Sequence, residues 1–439
     1  MKRMACIFLA GTLAAQQGQV LPLSIRRAIE LALAPEGNTR VELAGELIRQ
    51  AEARQRQAGA ALLPNLDSSV SYQDVTRNLR AFGIQFPAIP GLPPFSTFAG
   101  PFGIFDARAS LGQSVVDVSA IRRYRSARLA VQAIRTERDA ALLQVTDQVV
   151  RAYLTSLLAE SRLETAKANV DLAERLHQLA QRQKDAGTGM AVEVTRAEVQ
   201  LANERQRHLA ATNERMKARL HLLRALDLRL STEFELTDRL SYQPVLPVSF
   251  EQALEAALRD RPDWKAQQER ERAAAASYGA AKAERLPTLA AFADYGSIGP
   301  EIGDSRATRS AGIALRLPVF DGGRREARRA ESASQWRSEQ IRAKDIRQQI
   351  ELELRIAFDN LRSAELQVAA AEDGLRLAQR EIDQAERRYL AGVAGSLEVT
   401  DAQTRLARAR DNRLAALFQH NMARLDLGTA TGTVERFLP

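Results

Sequence analysis

Residues 21–33, LPLSIRRAIELAL, return 225 positions later as residues 246–258, LPVSFEQALEAAL. Further matches follow in the same order. ALLPNL at 61–66 answers ERLPTL at 284–289, with Tyr72 answering Tyr295 at an offset of 223. Gly187 then pairs with Gly392, and Glu193-Val194-Thr195 with Glu398-Val399-Thr400, at an offset of 205. The fall in offset lies across the Phe/Pro/Gly-rich stretch Arg77 to Phe105, which reads as a long loop inserted into the first copy. A fixed order of matches at a long period marks a tandem duplication. The copies are read as residues 16–240 and 241–439.

Each copy reads helix, helix, strand, strand, long helix, turn, helix. The short first helix starts after Ser24 or Ser249, side chains suited to accept a hydrogen bond from the first free N–H groups. The second helix ends at Leu63-Pro64 or Leu286-Pro287, because a residue before proline is pushed out of the helical region. There the hydrophobic period switches from 3.6 to 2. Strands are expected at about 65–75 and 104–114 in the first copy and at about 288–296 and 309–317 in the second. Their apolar sets are Leu66/Val70/Tyr72, Phe105/Ala107/Ala109/Leu111, Leu289/Ala291/Ala293/Tyr295 and Ala311/Ile313/Leu315/Leu317, with Phe292 on the wrong face. Segments of about ten alternating residues suit tilted transmembrane strands with one face to lipid and one to water. Four strands are too few to close such a barrel, so a chain contributing four must assemble around an axis.

Long helical hairpins fill the rest of each copy, about 119–228 with its tip at 187–190 and about 324–428 with its tip at 392–395. Ile350, Leu354, Ala357, Leu361, Ala364, Val368, Ala371, Leu375, Ala378, Ile382 and Ala385 follow alternating steps of four and three, the 3.5-residue period of coiled-coil packing. The first copy keeps the alanine phase at Ala152, Ala159, Ala166, Ala173 and Ala180. Each hairpin's first helix is long enough to extend roughly 100 Å at 1.5 Å per residue. Composition agrees: 45% of residues are apolar but only 5% aromatic, and the 26% charged fraction is too ordinary for wholesale disorder.

Lys2 and Arg3 precede a short apolar run ending in small residues, so residues 1–15 read as a signal peptide. The one cysteine, Cys6, lies inside it, which excludes a disulfide framework and any cysteine-based zinc site in the mature chain. No apolar run reaches the 18 or so residues of a membrane-spanning helix, which leaves a β-barrel as the way into a membrane. The net charge of +8 would suit nucleic acid, but arginines interleave with acids along the helices, so no nucleic-acid partner is expected. No phosphate loop is present, and His177, His208, His221 and His420 form no ligand set. The chain is expected to be neither an enzyme nor a cofactor carrier.

The duplicated short helix, the Leu-Pro-x-Leu strand entries and the strand-to-helix run Leu317-Pro318-Val319-Phe320-Asp321-Gly322-Gly323-Arg324 carry a family resemblance. So does the turn Arg388-Tyr389-Leu390-Ala391-Gly392 followed by Leu397-Glu398-Val399-Thr400-Asp401-Ala402. In this order and spacing the chain resembles the TolC-type outer-membrane efflux proteins along nearly all its length. The resemblance implies a mainly α chain with a membrane β-barrel portion. Three protomers would form a homotrimer, with a twelve-stranded barrel in outer-membrane lipid continuous with a periplasmic α-barrel. It further implies a passive exit duct for efflux or type I secretion. An inner-membrane RND or ABC pump would deliver substrates to it through a periplasmic adaptor (membrane fusion) protein.

By position, Tyr389 matches the family's constriction tyrosine, and Glu398, Asp401 and Glu193 match its lumenal carboxylates. A ring of carboxylates would favour cations. The same three residues also read as helix-start carboxylates that suit the helix dipole. Ala394 stands where some members carry a gate arginine, and Arg196 is the repeat equivalent of Asp401. The tips Gly187-Thr188-Gly189 and Gly392-Val393, with Gly395, are expected to dock the adaptor, or else to be plain hairpin turns. A periplasmic coiled-coil adaptor without a barrel is the competing reading.

Overall fold

A computed structural model describes residues 20–34, 37–84, 91, 96–245 and 248–434. The expected signal peptide at 1–15, with Cys6, lies outside the described residues. The chain forms two compact units. One comprises residues 46–136 and 266–345, and the other comprises residues up to 45, 137–265 and 346 onward.

In chain order the elements are β1 (Leu21–Leu23), α1 (Ile25–Leu33), α2 (Thr39–Ala60), β2 (Asn65–Asn78), β3 (Phe98–Val116), α3 (Val118–Asp185) and α4 (Ala191–Ala225). Then come β4 (Phe234–Leu236), α5 (Phe250–Asp260), α6 (Pro262–Ala283), β5 (Thr288–Gly299), β6 (Arg306–Arg316), α7 (Arg324–Leu390) and α8 (Ser396–Thr431).

The first unit holds a four-stranded antiparallel sheet in the order β2-β3-β5-β6. Its register aligns the four apolar sets. Leu66 lies opposite Leu111, and Leu111 opposite Ala293, which faces Ala311. Tyr72 pairs with Phe105, and Ala291 with Ile313. Side chains alternate with a period of exactly two residues, so this register puts the apolar sets on one face. Leu66, Val70, Tyr72, Tyr295, Ile313 and Leu315 are all exposed there. The opposite face is polar and internally bonded: Arg108 pairs with Asp106 at 2.7 Å and with Asp294 at 3.4 Å, and Ser310 donates to Asp294. Phe292, out of pattern in the sequence, sits between Gly112 and Gly312. A Cβ at Gly312 would come within 2.7 Å of its ring, so the glycine makes room for the aromatic that covers it.

The long loop expected over Arg77 to Phe105 is shorter than its composition suggests. β2 runs to Asn78, a short 3-10 turn covers Leu79–Phe82, and β3 already starts at Phe98. Glycine and proline signal loops, yet β3 pairs Gly103 with Asp74 and takes Gly100 and Pro101 in a register shift between its pairs with Val75 and Arg77. Residues 85–90 and 92–95 of that stretch lie outside the described residues.

In the second unit, β1 pairs in parallel with β4. Around this pair lie Leu23, Ile25, Ala28, Val145, Val149, Tyr153, Leu222, Leu226 and Phe234, all buried. The Tyr153 hydroxyl lies 2.8 Å from the Leu23 carbonyl and 2.7 Å from Asp238, whose Oδ2 also accepts from the Ile25 N–H. One carboxylate thus ties the start of α1 to the middle of α3. Ser24 caps α1 through the Arg27 N–H, and Ser249 caps α5 through the Gln252 N–H. The 3.5-residue stripe of α7 is the buried one: Ile350, Leu354, Ala357, Leu361, Ala364, Val368, Ala378, Ile382 and Ala385 all lie in the core.

Candidate functional site

The four long helices α3, α4, α7 and α8 meet at two turns, and the same backbone lock closes both. At the end of α7 the Gly392 N–H donates to the Tyr389 carbonyl and the Val393 N–H to the Arg388 carbonyl, at 3.1 Å each. At the end of α3 the Gly187 N–H donates to Lys184 at 2.9 Å and the Thr188 N–H to Gln183 at 3.0 Å. Gly392 and Gly187 have φ of 72° and 76°, a left-handed conformation that carries no Cβ penalty only in glycine. This paired hydrogen-bond pattern is the Schellman cap, which satisfies the last carbonyls of a helix. Gly189 serves differently, since a Cβ there would come within 3.0 Å of Gln183. Gly395 is the N-cap of α8. Met190, Val192, Leu390, Val393 and Leu397 leave the turns with exposed apolar surface.

Under the second tip, Tyr389 is only 5% exposed and packs with Leu172, Ile382, Ala385, Val399, Ala402 and Leu406. Its hydroxyl has no hydrogen-bond partner among the described residues. Burial, and after it the Glu193 carboxylate, push its phenol above the ordinary tyrosine range. Glu193 is half-buried. Its Oε1 accepts from the Ser396 N–H at 3.3 Å, and its Oε2 accepts from the Met190 N–H at 3.4 Å. It therefore caps its own helix, α4, and reaches the start of α8 in the other hairpin. Glu398 is exposed and pairs with Arg388 at 3.0 Å across its own turn. Asp401 is exposed one turn along. The structure brings Tyr389 and Glu193 to one place, and leaves Glu398 and Asp401 on the outside of the single chain.

Three residues here take positions that the sequence did not advertise. Arg388 lies inside the quoted turn motif and supplies the guanidinium for Glu398. Ser396 and Gln403 are buried in α8 with Ser396 Oγ and Gln403 Nε2 unpartnered, and with Tyr389 and Thr400 they line a cavity of about 20 Å³. The polar groups facing this cavity come from α7, α8 and, through Gln200, α4, a juxtaposition only the packed bundle reveals. Among the described residues no group of His, Cys, Asp and Glu is arranged to hold a metal ion, and no helix is long and apolar enough to cross a membrane.

The family model described as outer membrane efflux protein matches residues 36–227 and again 253–433. The chain belongs to this family. As an outer membrane efflux protein it resides in the outer membrane with a periplasmic portion, and its fold is that of outer-membrane channels. The efflux protein is 25% identical over 399 residues to the pyoverdine export outer membrane protein OpmQ of Pseudomonas putida, covering 88% of this chain and 81% of that one. It is 27% identical over 224 residues to the alkaline protease secretion protein AprF of Pseudomonas aeruginosa, covering 49% and 46%. The match thus spans about half the length of AprF. Among solved structures, the outer-membrane channel OprN superposes with a TM-score of 0.79 at 19% identity, covering 93% of this chain and 90% of that one. The reading as a barrel-less adaptor finds no support in these likenesses.

Proposed function

We propose that the protein is the passive outer-membrane exit duct of a tripartite efflux or type I secretion system and works as a homotrimer. The observation that carries the assembly is the sheet. β2 and β6 each have a neighbour on one side only among the described residues, while one face of all four strands is apolar and exposed. Backbone N–H and C=O groups along an open edge find no partner in hydrocarbon, so the edges must pair with strands of other copies. Three copies supply twelve strands. A periplasmic adaptor docks at the tips around Gly187-Thr188-Gly189 and Gly392-Val393, where exposed apolar side chains surround rigid caps. An inner-membrane RND or ABC pump supplies the energy. The export and secretion roles in the names of OpmQ and AprF support this reading.

The tips are the gate. Closed, Glu193 holds the start of α8 while Tyr389 stays in the bundle core, and Glu398 and Asp401 lend negative charge to the passage. Moving α7 and α8 outward breaks the Glu193–Ser396 contact and uncovers Tyr389. Purified protein in a planar lipid bilayer tests the duct: cation-selective openings are expected, and a helical product that never inserts would refute it. Chemical cross-linking in the same lipid should stop at three protomers.

A further inference from the structure

The efflux protein's positive charge is concentrated where strands become helices. Segments 117–128, 279–285 and 321–329 contain ten Lys and Arg against Asp117, Glu284, Asp321 and Glu326, a net +6 in a chain whose total is +8. The neighbouring stretches of the same helices, 129–140, 266–278 and 330–345, are each neutral. The three segments form one patch. Glu284 of the α6–β5 link accepts from Arg123 of α3 at 3.3 Å and from Arg328 of α7 at 2.9 Å. Arg122 donates to the Gly279 carbonyl at 2.9 Å, and Arg285 pairs with Glu326. Register puts all three links at the same end of the sheet, since Val116 faces Leu289 and Thr288 faces Arg316.

Folding accounts for only part of this charge: Arg325 pairs with Asp321 at 2.8 Å and Arg328 with Glu284, while Arg324 stays largely exposed at 3.8 Å from Asp321. Arg324 and Arg325 open α7 with Glu326 and Asp321 beside them, and α3 has no acid in its first turn, only Asp117 before it and Arg122 and Arg123 directly after it. Cations at a helix N-terminus oppose the helix dipole. Arg125 and Arg128 are exposed and make no ion pair among the described residues. Beside the charge, the apolar stripe of β6 (Ile313, Leu315, Leu317) runs on into the link, where Val319 is 88% and Phe320 87% exposed. A bulky aromatic at the end of a lipid-facing strand, in a patch of net positive charge, has the makeup of a membrane–water interface contact.

We infer that this patch is a binding belt for anionic phospholipid headgroups at the helical end of the barrel, with Phe320 and Val319 among the acyl chains and the exposed Arg125, Arg128 and Arg324 on the phosphates. The inference rests on the sheet being the membrane-embedded part. A probe is provided by Phe320→Trp in the full-length protein, reconstituted in phosphatidylcholine vesicles. Brominated phosphatidylglycerol at one fifth of the lipid should quench the new tryptophan at least twice as strongly as brominated phosphatidylcholine at the same fraction. That preference should vanish when Arg125, Arg128 and Arg324 are all changed to Gln. Equal quenching by the two lipids would overturn the inference, as would no quenching by either, the result expected if another copy of the chain covers Phe320. Loss of the preference in inorganic phosphate, but not in chloride of equal ionic strength, would mean that the arginines hold free phosphate and not lipid. Ion conductance of the same vesicles separates these results from failure of the duct itself. A preparation that conducts but shows no lipid preference refutes only the belt.

Discussion

The two hairpin tips share a backbone cap and differ in most of the side chains around it. Both end a long helix in the same glycine cap, with φ of 76° at Gly187 and 72° at Gly392. At the offset of 205, buried Tyr389 corresponds to exposed Lys184, Arg388 to Gln183 and Asp401 to Arg196. Even the retained carboxylate has parted ways. Glu398 pairs within its own turn, whereas its equivalent Glu193 reaches across to the other hairpin. Duplication preserved the part that needs a special backbone, because a left-handed cap tolerates little but glycine. The side chains were free to diverge, and of the two retained carboxylates only Glu193 reaches the other hairpin.

The largest asymmetry is expected from truncating equivalent positions. Tyr389→Ala removes a buried aromatic and should destabilise the tip by about 4 kcal/mol, whereas Lys184→Ala should stay within about 0.5 kcal/mol. Amide hydrogen exchange of the tip residues reads both. Deeper in the hairpins, His420 is completely buried with both ring nitrogens unpartnered, beside the Tyr242 ring at 4.7 Å, while its equivalent Arg215 pairs with Glu160 at 2.6 Å. Burial first, and Arg424 second, pull the His420 pKa down to about 4. The unfolded chain takes up this proton near pH 6.5 and the folded chain only near 4, so stability falls as pH drops through that window. The loss approaches about 3 kcal/mol per chain. His420→Leu should flatten this part of a melting-temperature profile against pH, and Arg215→Leu should leave it in place.

Symmetry should return at the caps. Gly187→Ala and Gly392→Ala each force a Cβ into the left-handed region and should cost about 1–2 kcal/mol alike, by denaturant titration. Unequal losses would mean that the caps are not equivalent. Smallest of all, Glu398→Gln should change stability by less than about 1 kcal/mol, because its pair with Arg388 is exposed.

What the sequence made legible follows from periodicity. The 3.5-residue stripe of α7 and the period-two strands were readable because burial repeats at the spacing of the element. The four apolar sets fell on one sheet face without correction. Among the described residues of the stretch 77–105 only the ends differ from a loop, 77–78 and 98–105 being strand, because glycine and proline signal loops locally while the strand pairing that overrides them is long-range. The gate was half legible. Its glycines announce a turn through their conformational need, but the reach of Glu193 to Ser396 spans 203 positions and depends on how four helices pack. Nor does spacing reveal that Tyr389 is buried, or that Arg388 pairs with Glu398.

The measurement that bears most directly on this account is single-channel conductance of Glu193→Ala against Glu398→Ala in the same bilayer. If the gate is held by the contact between hairpins, Glu193→Ala should open to clearly larger conductance than wild type, and Glu398→Ala should change mainly the cation preference. Equal conductance in both variants and wild type, with normal insertion, would contradict it.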